Sequence, residues 1–371
     1  MIQLDSITLY RLKMPLSKPF RISTGVVTEK EFVLIQGEAD GITGWGEAAV
    51  DGIPFYTSET AETAMSISKR VLAPFAKSRA WNTPEEFSDA LHFSRGHAFT
   101  KMMFETMLWD IHGKQTNSSI ATLLNEGPPS RTVIDSGPSI GIKDSPEDLI
   151  QAVGHELGIG AKRIKIKVKC GHDYAYIKAV REQFPDITLM VDANSDYGPE
   201  DIDDLLRWDE FNLLMIEQPL DHDDLYYHAQ LAEKMETPIC LDESIQTVHL
   251  AKCALEMKAA DIVNIKVGRV GGLTNTLRIH NLCQEAGIPV WIGSRIGTSI
   301  ADSVRLAAAS LPNVIYPSDA GFATTYMSDD IVKTPVYIEN GCQIALPTAP
   351  GIGVEVDLDQ VEKYTIEKIS I

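Results

Sequence analysis

The sequence predicts an α/β protein built around a parallel barrel, and three observations predict it. From about residue 132, short apolar runs alternate with helical stretches, which is the rhythm of repeated strand-plus-helix units. The runs are apolar on both faces, as strands are when helices cover the sheet. Acids recur at strand ends with the period of one such unit. The seven runs are "VIDSGPSIGI", "RIKIKVK", "ITLMVDAN", "FNLLMIEQP", "TPICLDES", "DIVNIKVG" and "IPVWIGS", with stretches such as "DDLYYHAQLAEKM" and "LTNTLRIHNLCQEAG" between them.

The part before residue 131 has a different character. "SITLYRLKM", "EFVLIQGEA" and "GITGWGEAAV" have the alternation and glycine punctuation of antiparallel hairpins. From Ser58 the pattern turns helical, most clearly in "TMLWDIHGKQ" (106–115), and "NEGPPSR" (125–131) reads as a hinge. The tail "VYIENGCQIALPTAPGIGVEVDLDQV" returns to hairpin-like β and is expected to pack back on the first domain. The expected division is residues 1–130, 131–325 and 326–371.

The chain has 371 residues and a formal net charge of -19. That charge disfavours nucleic acid or an anionic membrane as partner. No apolar run is long enough to span a bilayer, and "MIQLDSITLYRLKMPL" lacks the layout of a signal peptide, so a cytoplasmic protein is expected. Its 5 cysteines are scattered without a CxxC pair, which suggests reduced, mostly buried thiols rather than disulfides or a zinc ribbon.

Three strand runs end in an acid: Asp192 in "MVDAN", Glu217 in "MIEQP" and Asp242 in "CLDES". They are 25 and 25 residues apart, and 24 more lead to Lys266 in "VNIKVG". About 25 residues is one strand-plus-helix unit, so the four are expected at one level, at the C-terminal ends of successive strands. Carboxylates converging in a low-dielectric mouth repel unless a cation joins them. Oxygen-only ligands suit Mg²⁺, or Mn²⁺, better than zinc. A lone acid at a strand end often caps the following helix, but three in register beside lysine-bearing strands favour a metal site.

The strand before "MVDAN" is "RIKIKVK", residues 163–169. Its alternation places Arg163, Lys165, Lys167 and Lys169 on one face, expected to be the barrel interior. Lys266 would reach in from the opposite side. Two amines facing each other across a chelated carboxylate substrate can remove and return its α-proton. Other features carry less. "GRVGG" (268–272) has the glycines of a turn without the Lys-Ser/Thr of a phosphate loop. His222 and His228 are expected at the surface, and Cys240 as a packed small hydrophobe.

These motifs, "KIK" and "KVK", then "VDAN", "IEQP", "LDES" and "NIKVGRVGG", resemble the enolase superfamily in its muconate-lactonising-enzyme-like branch. The likeness extends over nearly the whole chain, through "KPFRISTG", "GWGEAA" and "KMMFETMLWDIHGK". Within the branch, "RIKIKVKCGHD" and "IEQPLDHDDLYYHAQLA" resemble the group that makes o-succinylbenzoate, for menaquinone biosynthesis, or racemises N-succinylamino acids. The resemblance implies a modified (β/α)8-type barrel under an α+β capping domain, working with Mg²⁺ on a small carboxylate substrate through an enediolate. It implies Asp192, Glu217 and Asp242 as metal ligands, Lys167 and Lys266 as the acid–base pair, Lys165 and Ser294 on the substrate, and Asn194 and Glu243 as supports. It also implies a homo-oligomer, and a lid at "RISTGVVTEKE" (21–31). Sugar-acid dehydration ranks lower because "VWIGSR" lacks the usual histidine, and a non-catalytic binding protein would not need opposed lysines.

One stretch departs from the resemblance. Relatives carry Gly-Gly-Met-Leu-Glu where this chain has "GSRIG", so Arg295 replaces methionine and Gly297 replaces glutamate. Arg295 is expected to hold a remote substrate carboxylate, or else to pair with Asp302 or Asp319.

Overall fold

The computed structural model describes residues 1–371 except Ser23, Thr24, Phe55, Asn340 and Gly341, and describes only the backbone of Lys18, Phe20, Arg21, Ile22, Gly25, Val26, Val27 and Phe322. Most of the expected lid, "RISTGVVTEKE", therefore lies outside the described side chains.

The N-terminal strands β1 (Ser6–Ile22), β2 (Gly25–Ala39) and β3 (Ile42–Ala48) form an antiparallel sheet, with Leu9 opposite Ile35 and Ile35 opposite Gly46. Alternation gives the sheet two buried faces. Ile7, Leu9, Val33 and Ile35 pack against Met103, Met107 and Ile111 of the long cap helix Ala98–Gln115. Tyr10, Leu12, Met14, Phe32 and Leu34 point the other way and join the core of the barrel. One sheet thus fastens the cap to the barrel.

The strand β4 (Val133–Asp135) lies at the start of the first barrel run but is not part of the barrel sheet. The barrel strands are β5 (Ser139–Ile140), β6 (Ile164–Lys167), β7 (Leu189–Asp192), β8 (Ile216–Glu217), β9 (Ile239–Leu241), β10 (Ile262–Ile265) and β11 (Val290–Ile292), all parallel and in sequence order. Residues 314–318 close the ring. Val314 bridges Val290 of β11 and Ser318 bridges Ser136, both in the parallel sense. The result is the expected modified (β/α)8-type barrel, with an irregular eighth position.

Among the described residues, the tail is bridged to itself at isolated antiparallel pairs, Glu339 with Gln343 and Val332 with Val356, while its strands pair elsewhere. Strand β12 (Gln343–Ala345) pairs antiparallel with β4, while β13 (Thr365–Ser370) pairs with β1 as the edge of the cap sheet. Its partners lie far away in sequence, so local alternation could not have named them.

The bottom of the barrel is plugged. Met190, Met215, Cys240, Ile262 and Trp291 form one interior cluster. Arg163 lies there at 1 % exposure, donating to Pro317 O (2.7 Å) and Asp319 Oδ1 (3.1 Å) beside the Trp291 ring. A packed floor leaves the C-terminal mouth as the place for chemistry. Among the described residues no helix is long and apolar enough to cross a membrane.

Candidate active site

Lys167, Asp192 and Glu217 are direct neighbours across β6, β7 and β8. Glu217 sits opposite Cys240 rather than Asp242, so Asp242 stands two residues further along its strand. The expected single level is therefore a rising stagger, as barrel closure requires strands to be offset in register. Arg163, Lys165 and Lys167 do face inward, while Ile164 and Ile166 are buried under the helices. Lys169 lies past the end of β6 in a turn bridged to His172 and is half-buried.

On this side every contact comes from the barrel. Lys167 Nζ donates to Asp192 Oδ2 (2.5 Å) and to Asn194 Oδ1 (2.6 Å). Asn194 Nδ2 in turn donates to Glu243 Oε1 at 2.9 Å. Lys165, one step below, is almost fully buried and donates to Asp319 Oδ2 (2.7 Å) and Glu217 Oε2 (3.2 Å), with Asp192 Oδ2 at 3.6 Å. Burial works against its ammonium, but Asp319, Glu217 and Asp192 outweigh it and push its pKa well up. Lys165 thus carries charge permanently, beneath Lys167.

The opposite side is shared with the cap. Lys266 follows β10, four strands from β6 in the sheet order. Its Nζ donates to Asp242 Oδ2 (2.6 Å) and to the Tyr56 hydroxyl (2.7 Å). Arg269 donates to Asp242 and, at 2.6 Å, to the same hydroxyl, whose proton goes to Glu243 Oε1 at 2.7 Å. Tyr56 comes from the cap loop after β3. Neither Tyr56 nor Arg269 was expected from the sequence; Arg269 carries a signal in lying one helical turn past Lys266, whereas "IPFYTSE" has none.

Arg295 is held by the cap rather than by Asp302 or Asp319. Its guanidinium donates to Asp51, which is also the partner of Lys30, and Nη1 reaches Thr57 Oγ1 at 3.2 Å. Asp302 is taken by Arg305, and Asp319 by Arg163 and Lys165. Ser294 is buried beside Arg295, donating to its carbonyl at 3.0 Å. Gly297 makes room for the cap as well: a Cβ there would fall 2.8 Å from Glu47 Oε1. The Glu47 carboxylate accepts from Thr298 N at the start of the helix Ser299–Ala309. His222 is exposed, but the expected surface position of His228 is wrong. That ring is fully buried, its Nε2 accepting from Leu220 N at 3.2 Å, so it braces the loop after β8. Cys240 is buried and accepts from Trp291 Nε1, as a packing residue would.

Asp192, Glu217 and Asp242 are all buried. Burial, and then Asp192 beside it, pushes the Glu217 carboxyl well above the usual range, while Lys167 and Lys165 hold Asp192 below it against burial. The local cations are therefore not enough to keep all three acids comfortably ionised, and a further cation of hard character fits that deficit. Among the described residues, the trio whose ligating atoms lie within 4.8 Å of one another is the exposed Asp221, His222 and Asp223. The strand-end carboxylates are spread wider, each drawn to its own lysine or arginine. Exposed acids in a loop are common without an ion.

Lysines on opposite sides of a ring of buried strand-end acids, with a cap loop reaching one of them, are the arrangement expected of the enolase superfamily. Residues 6–125 match the mandelate racemase/muconate lactonizing enzyme N-terminal domain, and residues 148–361 match the enolase C-terminal domain-like family. The chain belongs to this family of enzymes, whose members generally use a divalent metal. It is 39% identical to an o-succinylbenzoate synthase of Geobacillus kaustophilus, over 98% of this chain and 96% of that one. An N-succinylamino acid racemase of Thermus thermophilus is 36% identical, over 98% of each. A solved enolase-superfamily member from Listeria innocua superposes with a TM-score of 0.95 at 32% identity, covering 100% of this chain and 99% of that one.

Proposed function

We propose that this enzyme abstracts the α-proton of a small carboxylate substrate, acting as an o-succinylbenzoate synthase, an N-succinylamino acid racemase, or both. The observation that carries the reading is the placement of Lys167 and Lys266 four strands apart, each bonded to one of the buried strand-end acids. Asp192, Glu217 and Asp242 would hold Mg²⁺, with Mn²⁺ as a substitute. A cation held there would supply positive charge against the negative charge that develops as the proton leaves. Asn194 and Glu243 link the two sides: Asn194 positions Lys167, and Glu243 accepts from both Asn194 and Tyr56. Lys165 keeps a fixed positive charge under the reacting carboxylate. Lys167 works on one face of the carbon and Lys266 on the other; in a racemase one removes the proton and its partner delivers another, whereas an elimination needs one face only. The same reading places the enzyme in the cytoplasm as a homo-oligomer, in keeping with its charge and family.

The test is an assay of purified protein with Mg²⁺ against N-succinylamino acids and the o-succinylbenzoate precursor, following both product and α-proton exchange. Turnover that stops with excess chelator and returns with Mg²⁺ is expected. Full turnover in chelator would reject the metal site, and no turnover on either substrate class would reject the substrate.

A further inference from the structure

The cap loop between β3 and the helix Ala61–Ile67 carries Tyr56, and the loop has little packing of its own to hold it. Its ends are tied together: Asp51 is bridged to Thr60, and Ala61 N donates to Asp51 O at 2.8 Å. Between those ends Gly52, Ile53, Pro54 and Ser58 are exposed, while Tyr56 and Thr57 are half-buried. A loop so short of core contacts takes its conformation from whatever its inward side chains meet.

Tyr56 and Thr57 meet Arg295 of the barrel, which touches the loop at both base and tip. At the base it forms the ion pair with Asp51. At the tip its Nη1 donates to Thr57 Oγ1 (3.2 Å), and its guanidinium lies 5.0 Å from the centre of the Tyr56 ring and 5.3 Å from that of Phe99. A guanidinium plane suits such a place, since it can bond at its edge and lie against aromatic rings at once. Burial works against the Asp51 carboxylate, but Arg295 and then Lys30 hold its pKa below the usual range, so the base of the clamp stays charged. Both terminal nitrogens of Arg295 thus have acceptors in the cap, and the group needs no ligand to complete it. The cap as a whole has other fastenings: Glu47 accepts from Thr298 N at 3.2 Å, and Glu105 accepts from Leu273 N at 2.7 Å. What Arg295 adds is local to the loop.

We infer that Arg295 is a positioning residue for the Lys266 face: by clamping the cap loop at Asp51 and Thr57 it sets the Tyr56 hydroxyl on Lys266 and Arg269, without itself touching the substrate. The inference rests on the proposed α-proton chemistry and assigns to Arg295 the efficiency of one face of the reacting carbon. The Lys167 face has no contact with this loop except through Glu243 and Asn194, so it depends far less on the clamp.

The experiment measures α-proton exchange in deuterated water for each enantiomer of an N-succinylamino acid, on the Mg²⁺-loaded enzyme. The Lys266 face is the one whose exchange Lys266→Ala abolishes. Arg295→Met is expected to slow exchange on that face by roughly five- to tenfold, the effect of a lost hydrogen bond to a charged group, and to leave the Lys167 face within about twofold. Thr57→Val, which keeps the ion pair with Asp51, shifts the ratio of the two faces in the same direction by a smaller factor, and tests the clamp even where Arg295→Met does not fold. Because Arg295 acts through Tyr56, adding Arg295→Met to Tyr56→Phe changes the ratio no further. Equal slowing on both faces with a lower melting temperature, or full additivity of the two substitutions, overturns the inference and leaves the proposed function standing. A crystal structure of Arg295→Met with the Tyr56 hydroxyl still on Lys266 does the same. Wild-type enzyme that exchanges neither enantiomer overturns the functional reading and this inference with it.

Discussion

The two sides of the barrel mouth are built differently. Around Lys167, the direct contacts are with Asp192 on the next strand and Asn194 in the loop after it, and Asn194 in turn reaches Glu243 after β9. Around Lys266, the barrel supplies Asp242 and Arg269, but the group that joins them is Tyr56 of the cap, 210 residues away in sequence. The first side is finished when the barrel folds. The second is finished only when the cap is seated, since Tyr56 supplies the group that joins Lys266 to Arg269.

The largest effect that sharpens this contrast lies at the seam between cap and barrel. Glu105 of the cap helix accepts from Leu273 N (2.7 Å) and Thr274 N (3.0 Å), at the start of the barrel helix Leu273–Glu285. The fit is close: Gly272 has φ 129°, and a Cβ there would sit 1.6 Å from Glu105 Oε2. Burial raises the Glu105 pKa from 4.5 to about 7. A carboxyl whose pKa rises on folding holds its proton more tightly in the folded state. Its contribution to stability is therefore complete below pH about 4.5 and is lost as pH climbs through about 7. Urea unfolding of the wild type and Glu105→Gln should show the gap between them moving against the wild type by up to ~3 kcal/mol over that range. A gap that stays constant with pH would mean that the seam holds an ordinary ionised carboxylate.

A smaller effect is expected from Tyr56→Phe, which removes the acceptor of Lys266 and Arg269 and the donor to Glu243. The rate of proton exchange on the face served by Lys266 should fall by about tenfold, the value of a lost hydrogen bond to a charged group, and less on the face served by Lys167. Equal losses on both faces would erase the contrast and make Tyr56 a general element of closure.

The same contrast explains what could be read in the sequence. Lys165, Lys167 and Arg163 were legible because one strand carries them at period two, and the strand-end acids because one strand-plus-helix unit separates them. The stagger that lifts Asp242 above Glu217 was not, since it depends on how the ring closes. Arg295 stands out in the sequence, which offers it a substrate carboxylate or the nearby acids Asp302 and Asp319; the cap instead brings Asp51 from 244 residues away. His228, six residues from His222, reads from the sequence as a surface residue, whereas its ring is buried and holds Leu220 N. Pairings within a repeat unit leave a local pattern, and pairings between domains do not.

The most direct measurement of the central claim, that one lysine serves each face of the substrate carbon, is α-proton exchange in deuterated water with each enantiomer of an N-succinylamino acid, using Lys167→Ala and Lys266→Ala. Both variants should lose racemisation by on the order of 10³-fold or more, in the range of a deleted acid–base group. Each should still exchange the proton of one enantiomer, and the two variants should spare opposite enantiomers. Loss of exchange with the same enantiomer in both, or racemisation at the wild-type rate in either, would contradict a two-faced site.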